Sequence, residues 1–182
     1  MEEAKLAERA RAGDTAAYER LVRMYQAVAF RAAYLVTGDA SEAEDATQEA
    51  LIKAYRALDR FRPGAPFRPW LLTIVTNEAR NRRRSAGRRA KLGLQVATES
   101  HAVPAPVSPE AALVAAERRE ELLASVGELS EGERLVISFR YFLELSEEET
   151  ATSLGCARGT VKSRASRAIA RLRKAMAREE DA

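Results

Sequence analysis

Arg158, Thr160, Lys162, Ser163 and Ser166 crowd the opening turns of a stretch that holds no acidic residue from Arg158 to Lys174. Guanidinium, ammonium and hydroxyl groups at such spacing donate hydrogen bonds to base edges in a DNA groove. Arg164, Arg167 and Arg171 follow on the same segment and suit phosphates, which fix position but carry little sequence information. A second acid-free basic run extends from Arg80 to Lys91. There Asn77, Arg80, Asn81 and Arg84 set amides beside guanidinium groups. They follow a loop that carries Phe61 and Arg62. That combination suits strand-separated DNA, with charge along the backbone and a base taken up by the loop.

These residues need rigid elements to present them. Ser146-Glu147-Glu148-Glu149 reads as a helix start in which Ser146 and Glu149 form a capping box. Gly155 breaks that helix, Cys156 and Ala157 make a turn, and the basic segment follows with Val161, Ala165, Ile169, Leu172 and Met176 on one face. This is the pattern of a helix-turn-helix. A basic amphipathic helix can also be a merely solvated face. Cap, glycine break, apolar spacing and unbroken positive charge together favour DNA.

Upstream, a short helix is expected from about Glu2 to Arg11, ending at Gly13. Asp14 caps a second one with apolar positions Tyr18, Leu21, Val22, Tyr25, Val28, Ala29 and Leu35, ended by Gly38. Ser41 and Glu44 read as a capping box for a third. Its buried side holds Ala43, Ala46, Ala50, Ala54 and Leu58, and its exposed side Asp45, Gln48, Glu49, Lys53 and Arg56. Phe61 to Pro69 contains three prolines and reads as a loop. Pro69 then suits the first turn of a helix buried through Trp70, Leu71, Ile74 and Val75. Trp70 and Phe67 could be plain core residues, and for Trp70 that is the better reading.

Ser85 to Ser108 reads as a flexible linker with Gly87, Gly93 and two prolines, Pro104 and Pro106. Its 24 residues reach at most roughly 80 Å when extended. Ser108 and Pro109 open a further helix to about Val126, closed by Gly127. Ser130 and Glu133 form another capping box ahead of Leu135, Val136, Phe139, Phe142 and Leu143. The expected fold is all-α. Two small helical domains, 1–84 and 109–182, are joined by the linker 85–108.

The bulk composition agrees. Hydrophobic residues make up 46% of the chain, enough to bury a core. Net charge is only +3, so the segregation of charge matters more than its sum. Acids gather at Glu42, Glu44, Asp45 and Glu49 and again at Glu147 to Glu149. The first cluster could be a solvated surface or a docking face for a partner. One cysteine excludes an internal disulfide, and no apolar run is of membrane length. A cytoplasmic setting is the simplest expectation. His101 has no companion at metal spacing. No nucleophile set, phosphate loop or carboxylate pair stands out, so no enzyme and no cofactor is expected.

Taken in order, these motifs resemble a known family. Gly13-Asp14, the run Glu44 to Ala50, Arg60-Phe61 and the run Trp70 to Arg80 carry the upstream likeness. Leu145 to Ala151, Gly159 to Arg164 and Arg171-Leu172-Arg173 carry the downstream one. The chain resembles a bacterial RNA polymerase sigma factor of the extracytoplasmic-function class, the minimal two-domain group. Asn81 stands where that pattern has an aspartate, and Leu51 where an aromatic is common.

The resemblance implies partners and roles. Asp45, Gln48, Glu49 and Lys53 would dock on the β′ clamp helices of core RNA polymerase. Phe61, Arg62, Asn77, Arg80, Asn81 and Arg84 would read and melt the −10 element. Arg158, Thr160, Lys162, Ser163, Arg164, Ser166, Arg167 and Arg171 would read the −35 element as duplex, and their domain would rest on the β flap. An anti-sigma factor is expected, with no direct membrane insertion. The alternative is a stand-alone helix-turn-helix regulator whose first domain senses a ligand or dimerises. The acidic face and the Asn77 helix favour the sigma reading, because such a regulator needs neither.

Overall fold

The computed structural model describes residues 2–91 and 129–180, with side chains for 2–86 and 129–174. Every regular element among the described residues is helical. The first lobe contains α1 (Glu2–Arg11), α2 (Thr15–Thr37), α3 (Ala40–Arg56), a 3-10 turn (Leu58–Arg60) and α4 (Phe67–Lys91). The second contains α5 (Glu131–Ile137), a π-helical turn (Ser138–Phe142), α6 (Glu147–Leu154) and α7 (Arg158–Glu180). The helix expected between Ser108 and Val126 lies outside the described residues, as do residues 92–108 of the linker.

Alanine governs the packing of the first lobe. Ala29, Ala32 and Ala33 of α2 and Ala43, Ala46, Ala50 and Ala54 of α3 are all fully buried. Side chains this small let helix backbones approach closely, so the bulk of the core comes from Leu21, Phe67, Leu71, Leu72 and Val75. Tyr18 ties α2 to α3: its hydroxyl donates to the Leu51 carbonyl at 2.6 Å. Burial pushes its pKa up to about 12, so it remains a donor at any physiological pH.

Local signals set most boundaries. Asp14 caps α2 by accepting from the Ala17 amide at 3.0 Å. Gly38 closes α2 with φ 74°, a left-handed conformation that glycine adopts without steric cost. Two starts and one end differ from expectation. The third helix is capped by Asp39, which accepts from the Glu42 amide at 2.8 Å, and Ser41 lies inside its first turn. Asp39 follows the left-handed Gly38 in extended backbone, the conformation an N-cap needs, so it takes the role first. Next, α4 starts at Phe67, two residues before Pro69. All first-turn amides lack helical partners, so a proline is tolerated at any of those positions. Here Glu3 of α1 supplies the missing acceptor, taking the Phe67 and Arg68 amides at 2.8 and 3.2 Å. Finally, α4 runs past Ser85 to Lys91. Gly87 weakens a helix by only about 1 kcal/mol and does not end it.

The second lobe packs directly on the first, with α6 lying against α4. Thr73 donates to the Thr152 carbonyl at 3.1 Å, and Arg80 to the Leu154 carbonyl at 3.4 Å. Arg68 donates to the Leu143 carbonyl, and Arg83 pairs with Glu131 at 2.5 Å. Beneath these polar contacts one apolar cluster runs continuously from Leu71 and Val75 to Phe139, Ala151, Leu154 and Val161.

Candidate nucleic-acid interface

The helix-turn-helix is built from local chemistry. Ser146 accepts from the Glu149 amide at 3.1 Å, and the Glu149 carboxylate accepts from the Ser146 amide at 2.8 Å, completing the box. Gly155 has φ 63°, and the turn closes when the Cys156 amide donates to the Ala151 carbonyl at 3.0 Å. Val161 and Ala168, both fully buried, then seat α7 against the rest of the lobe. Ala168 was not among the apolar positions inferred from sequence. It escapes notice because alanine is common on both faces of this helix. Cys156 is half-buried against the shared core, as its small side chain suggests.

That seating leaves Arg158, Lys162, Ser163, Ser166, Arg167 and Arg171 exposed, with Thr160 and Arg164 half-buried. Glu147 stands 3.8 Å from both Arg158 and Lys162. Such pairs on an exposed surface contribute little and are screened by salt, so they do not withhold either cation from a stronger anion. Arg171 is differently placed: its guanidinium is 3.0 Å from the Glu133 carboxylate, and Arg167 is 4.0 Å from the same group. The Arg164 guanidinium lies against Gly132.

On α4 the spacing i, i+4, i+7 sets Asn77, Asn81 and Arg84 on one stripe, and all three are exposed. Arg80 flanks this stripe on the side covered by α6 and is half-buried. Phe61 points inward. It is buried with its ring centroid 5.6 Å from Phe67 and 5.0 Å from Trp70, so the aromatic trio is a core cluster at the root of α4. Arg62 is exposed. It shares with Arg60, Trp70, Thr73, Glu148 and Glu149 the wall of a cavity of about 890 Å³ between the loop and α6. The structure thus gathers Asn77, Asn81 and Arg84, and puts Arg62 near α6 rather than on that stripe.

The acidic face of α3 is cross-linked to α4. Asp45 pairs with Arg82 at 2.8 Å, and Lys53 pairs with Glu78 at 2.5 Å and with Glu49 at 3.7 Å. The Glu78 hydrogen bond is the main cause that raises the Lys53 pKa. Gln48 is exposed between them. Ile52 and Tyr55, 46% and 43% exposed, stand beside this set and were missed from sequence. They sit three residues after Glu49 and Ile52 respectively, on the outward side, which was the available signal. Together with the exposed charge around them they make this face a candidate contact surface.

Two carboxylates make the fold acid-sensitive. Asp14 is held below its ordinary value by the Ala17 amide first and by Arg9 next. Glu133 is held below its ordinary value by the Ser130 hydroxyl first, then by the Ser130 amide and the arginines. A lowered folded pKa means that these contributions are complete above the unfolded values of 3.8 and 4.5. They are lost as pH falls through the folded ones. Thermal melts taken from about pH 6 to pH 3 should show a steady loss of stability below about pH 4.5, with a shallower slope in Glu133→Gln.

No group of three or more potential metal ligands occurs among the described residues, and none of the described helices is long and apolar enough to cross a membrane. A lobe bearing a polar, arginine-rich helix and a second ending in a helix-turn-helix define a two-lobed, DNA-reading protein. Residues 21–89 match the family model for sigma-70 region 2, and residues 119–172 match that for sigma-70 region 4. The RNA polymerase sigma-H factor of Pseudomonas aeruginosa is 36% identical over 178 residues, covering 94% of this chain and 92% of that one. The ECF RNA polymerase sigma-E factor of Escherichia coli K12 is 36% identical over 171 residues, covering 90% and 88%. The chain belongs to the extracytoplasmic-function sigma factors of the sigma-70 family, which direct promoter recognition by RNA polymerase. Two solved structures share its fold. CnrH in complex with the cytosolic domain of CnrY has a TM-score of 0.70 at 26% identity, covering 97% of each chain. RpoE bound to the anti-sigma factor NepR, from Bartonella quintana, has a TM-score of 0.70 at 28% identity, covering 87% of this chain and 96% of that one. A stand-alone regulator with a helical sensor would not match sigma regions at both ends.

Proposed function

We propose that the chain docks on core RNA polymerase through Asp45, Gln48, Glu49 and Lys53, joined by Ile52 and Tyr55. Asn77, Arg80, Asn81 and Arg84, with Arg62, then serve the −10 element and its melted strand. Phe61 serves it from within, by holding the loop on the aromatic trio. Arg158, Thr160, Lys162, Ser163 and Ser166 serve the −35 duplex, and Arg164 and Arg167 its phosphates. Polymerisation chemistry belongs to the core enzyme, and the setting is the cytoplasm, where the template is. The β′ clamp helices and β flap are the expected docking sites. An anti-sigma factor is a further expected partner, because the structural neighbour RpoE was solved bound to one. The observation that carries this reading is the exposed polar face at the start of α7, directly after a capped helix and a left-handed glycine.

Reconstitution tests it. Purified chain is added to sigma-free core polymerase, and transcription is followed over a panel of promoters. Initiation that depends both on the chain and on promoter sequence is the expected result. Tight operator binding without polymerase, and no effect on initiation, would establish the stand-alone regulator instead.

A further inference from the structure

Glu133 is the only carboxylate buried among the described residues, 3% exposed. A buried carboxylate is kept where it is paired, because its desolvation is costly. Its cap on Ser130 does not explain the burial. Glu149 performs the same capping task on Ser146, in the same lobe, and remains half-exposed. What distinguishes Glu133 is a second set of partners on another helix. Its carboxylate takes the Ser130 hydroxyl at 2.7 Å and the Ser130 amide at 3.1 Å, and also Arg171 of α7 at 3.0 Å.

The neighbouring residue adds an independent contact. A Cβ on Gly132 would lie 3.0 Å from the Arg164 guanidinium carbon, so this turn of α5 is bare where Arg164 rests. Arg164 and Arg171 are seven residues apart, about 10 Å along one face of α7. Two grips two turns apart fix both the rotation and the tilt of a helix. Rotation matters here because each residue step turns a helix by about 100°, and contacts to base edges are directional.

We propose that Glu133 is a positioning residue for DNA reading. Through its ion pair it grips Arg171 and so sets the orientation at which α7 presents Arg158, Thr160 and Lys162. Arg171 serves this pair rather than the phosphate backbone. The inference rests on α7 being the groove helix.

The test uses holoenzyme assembled from the full chain and core polymerase. The probe is a promoter duplex selected from a randomised pool by wild-type holoenzyme, compared with the same duplex carrying a scrambled −35 block. Discrimination between the two and the salt dependence of binding are measured for Glu133→Gln, Arg171→Ala, the double variant and Ser130→Ala. Circular dichroism reports folding. Discrimination should fall about tenfold in each of the first two variants and no further in the double, with the salt slope unchanged. Ser130→Ala, which loses the capping hydroxyl but keeps the backbone amide contact and the ion pair, should discriminate like wild type. Arg171 is exposed, so Arg171→Ala carries the test even if Glu133→Gln fails to fold.

The proposal is overturned if Arg171→Ala lowers the salt slope by about one while discrimination persists, the signature of a phosphate contact. It is also overturned if losses in the two variants add, or if Ser130→Ala loses discrimination equally. If wild-type holoenzyme itself ignores the −35 block, the reading of α7 fails, and that outcome is distinct from failure of the Glu133 pair.

Discussion

Lys162→Ala and Arg158→Ala should each reduce initiation from promoters with an intact −35 element by about ten- to a hundredfold. A good bidentate contact to a base is worth about 1–3 kcal/mol of discrimination, and each 1.4 kcal/mol is a factor of ten. Both side chains are exposed at the start of α7, and among the described residues their ion pairs are the long ones to Glu147. Exposed pairs of that kind add little to folding, so the variants should melt like wild type. The loss then reports on DNA alone. Initiation from a promoter with a scrambled −35 block should hardly change. Unaltered promoter preference in both variants would show that α7 meets DNA with another face.

Phe139→Ala should be the most damaging single change in the second lobe. Phe139 is fully buried in the π-helical turn, and its carbonyl accepts from the Leu145 amide at 3.0 Å, closing the bend before α6. Removing a buried phenyl group costs about 3–5 kcal/mol, against a total stability of about 5–15 kcal/mol for an ordinary domain. Urea denaturation should show a midpoint shift of that size, and −35 discrimination should fall with it. Tyr141→Ala is the control. Its side chain is 58% exposed on the same turn, and surface changes of this type stay within about 0.5 kcal/mol. Equal destabilisation by the two changes would contradict the burial seen here.

Much of the fold is written in local chemistry, and those parts are legible in the sequence. Asp14, Ser130 and Ser146 cap helices because each must satisfy amides within three residues of itself. Gly38 and Gly155 end helices because only they tolerate the backbone required there. The alanine stripe of α3 follows from its spacing alone. The misread starts of α3 and α4 arose where two signals competed: Asp39 stood two residues ahead of Ser41, and Pro69 drew attention from Phe67. The decisive clue for α4 lay in Glu3, more than sixty residues away.

The candidate site divides in the same way. Exposure of Asn77, Asn81, Arg84, Arg158 and Lys162 follows from periodicity. Pairings across helices do not. Asp45 with Arg82 and Glu133 with Arg171 join residues separated by 37 and 38 positions, and only tertiary packing reveals them. Phe61 shows the reverse error. An aromatic in a proline-rich loop looked available to a base, yet it anchors that loop to α4.

The seam between α4 and α6 sets a threshold for any ligand of the covered side of α4. A nucleotide that takes Arg80 must displace the Leu154 carbonyl, and one that reaches Thr73 must displace Thr152. Affinity for such a ligand is multiplied by the fraction of molecules in which the seam is parted. If one molecule in a hundred is parted, apparent binding weakens by about a hundredfold. Among the described residues α6 packs on α4 and not on the acidic side of α3, which carries no such toll. Any promoter contact through Arg80 would therefore depend on whatever parts the lobes, while the acidic side of α3 needs no such parting among the described residues.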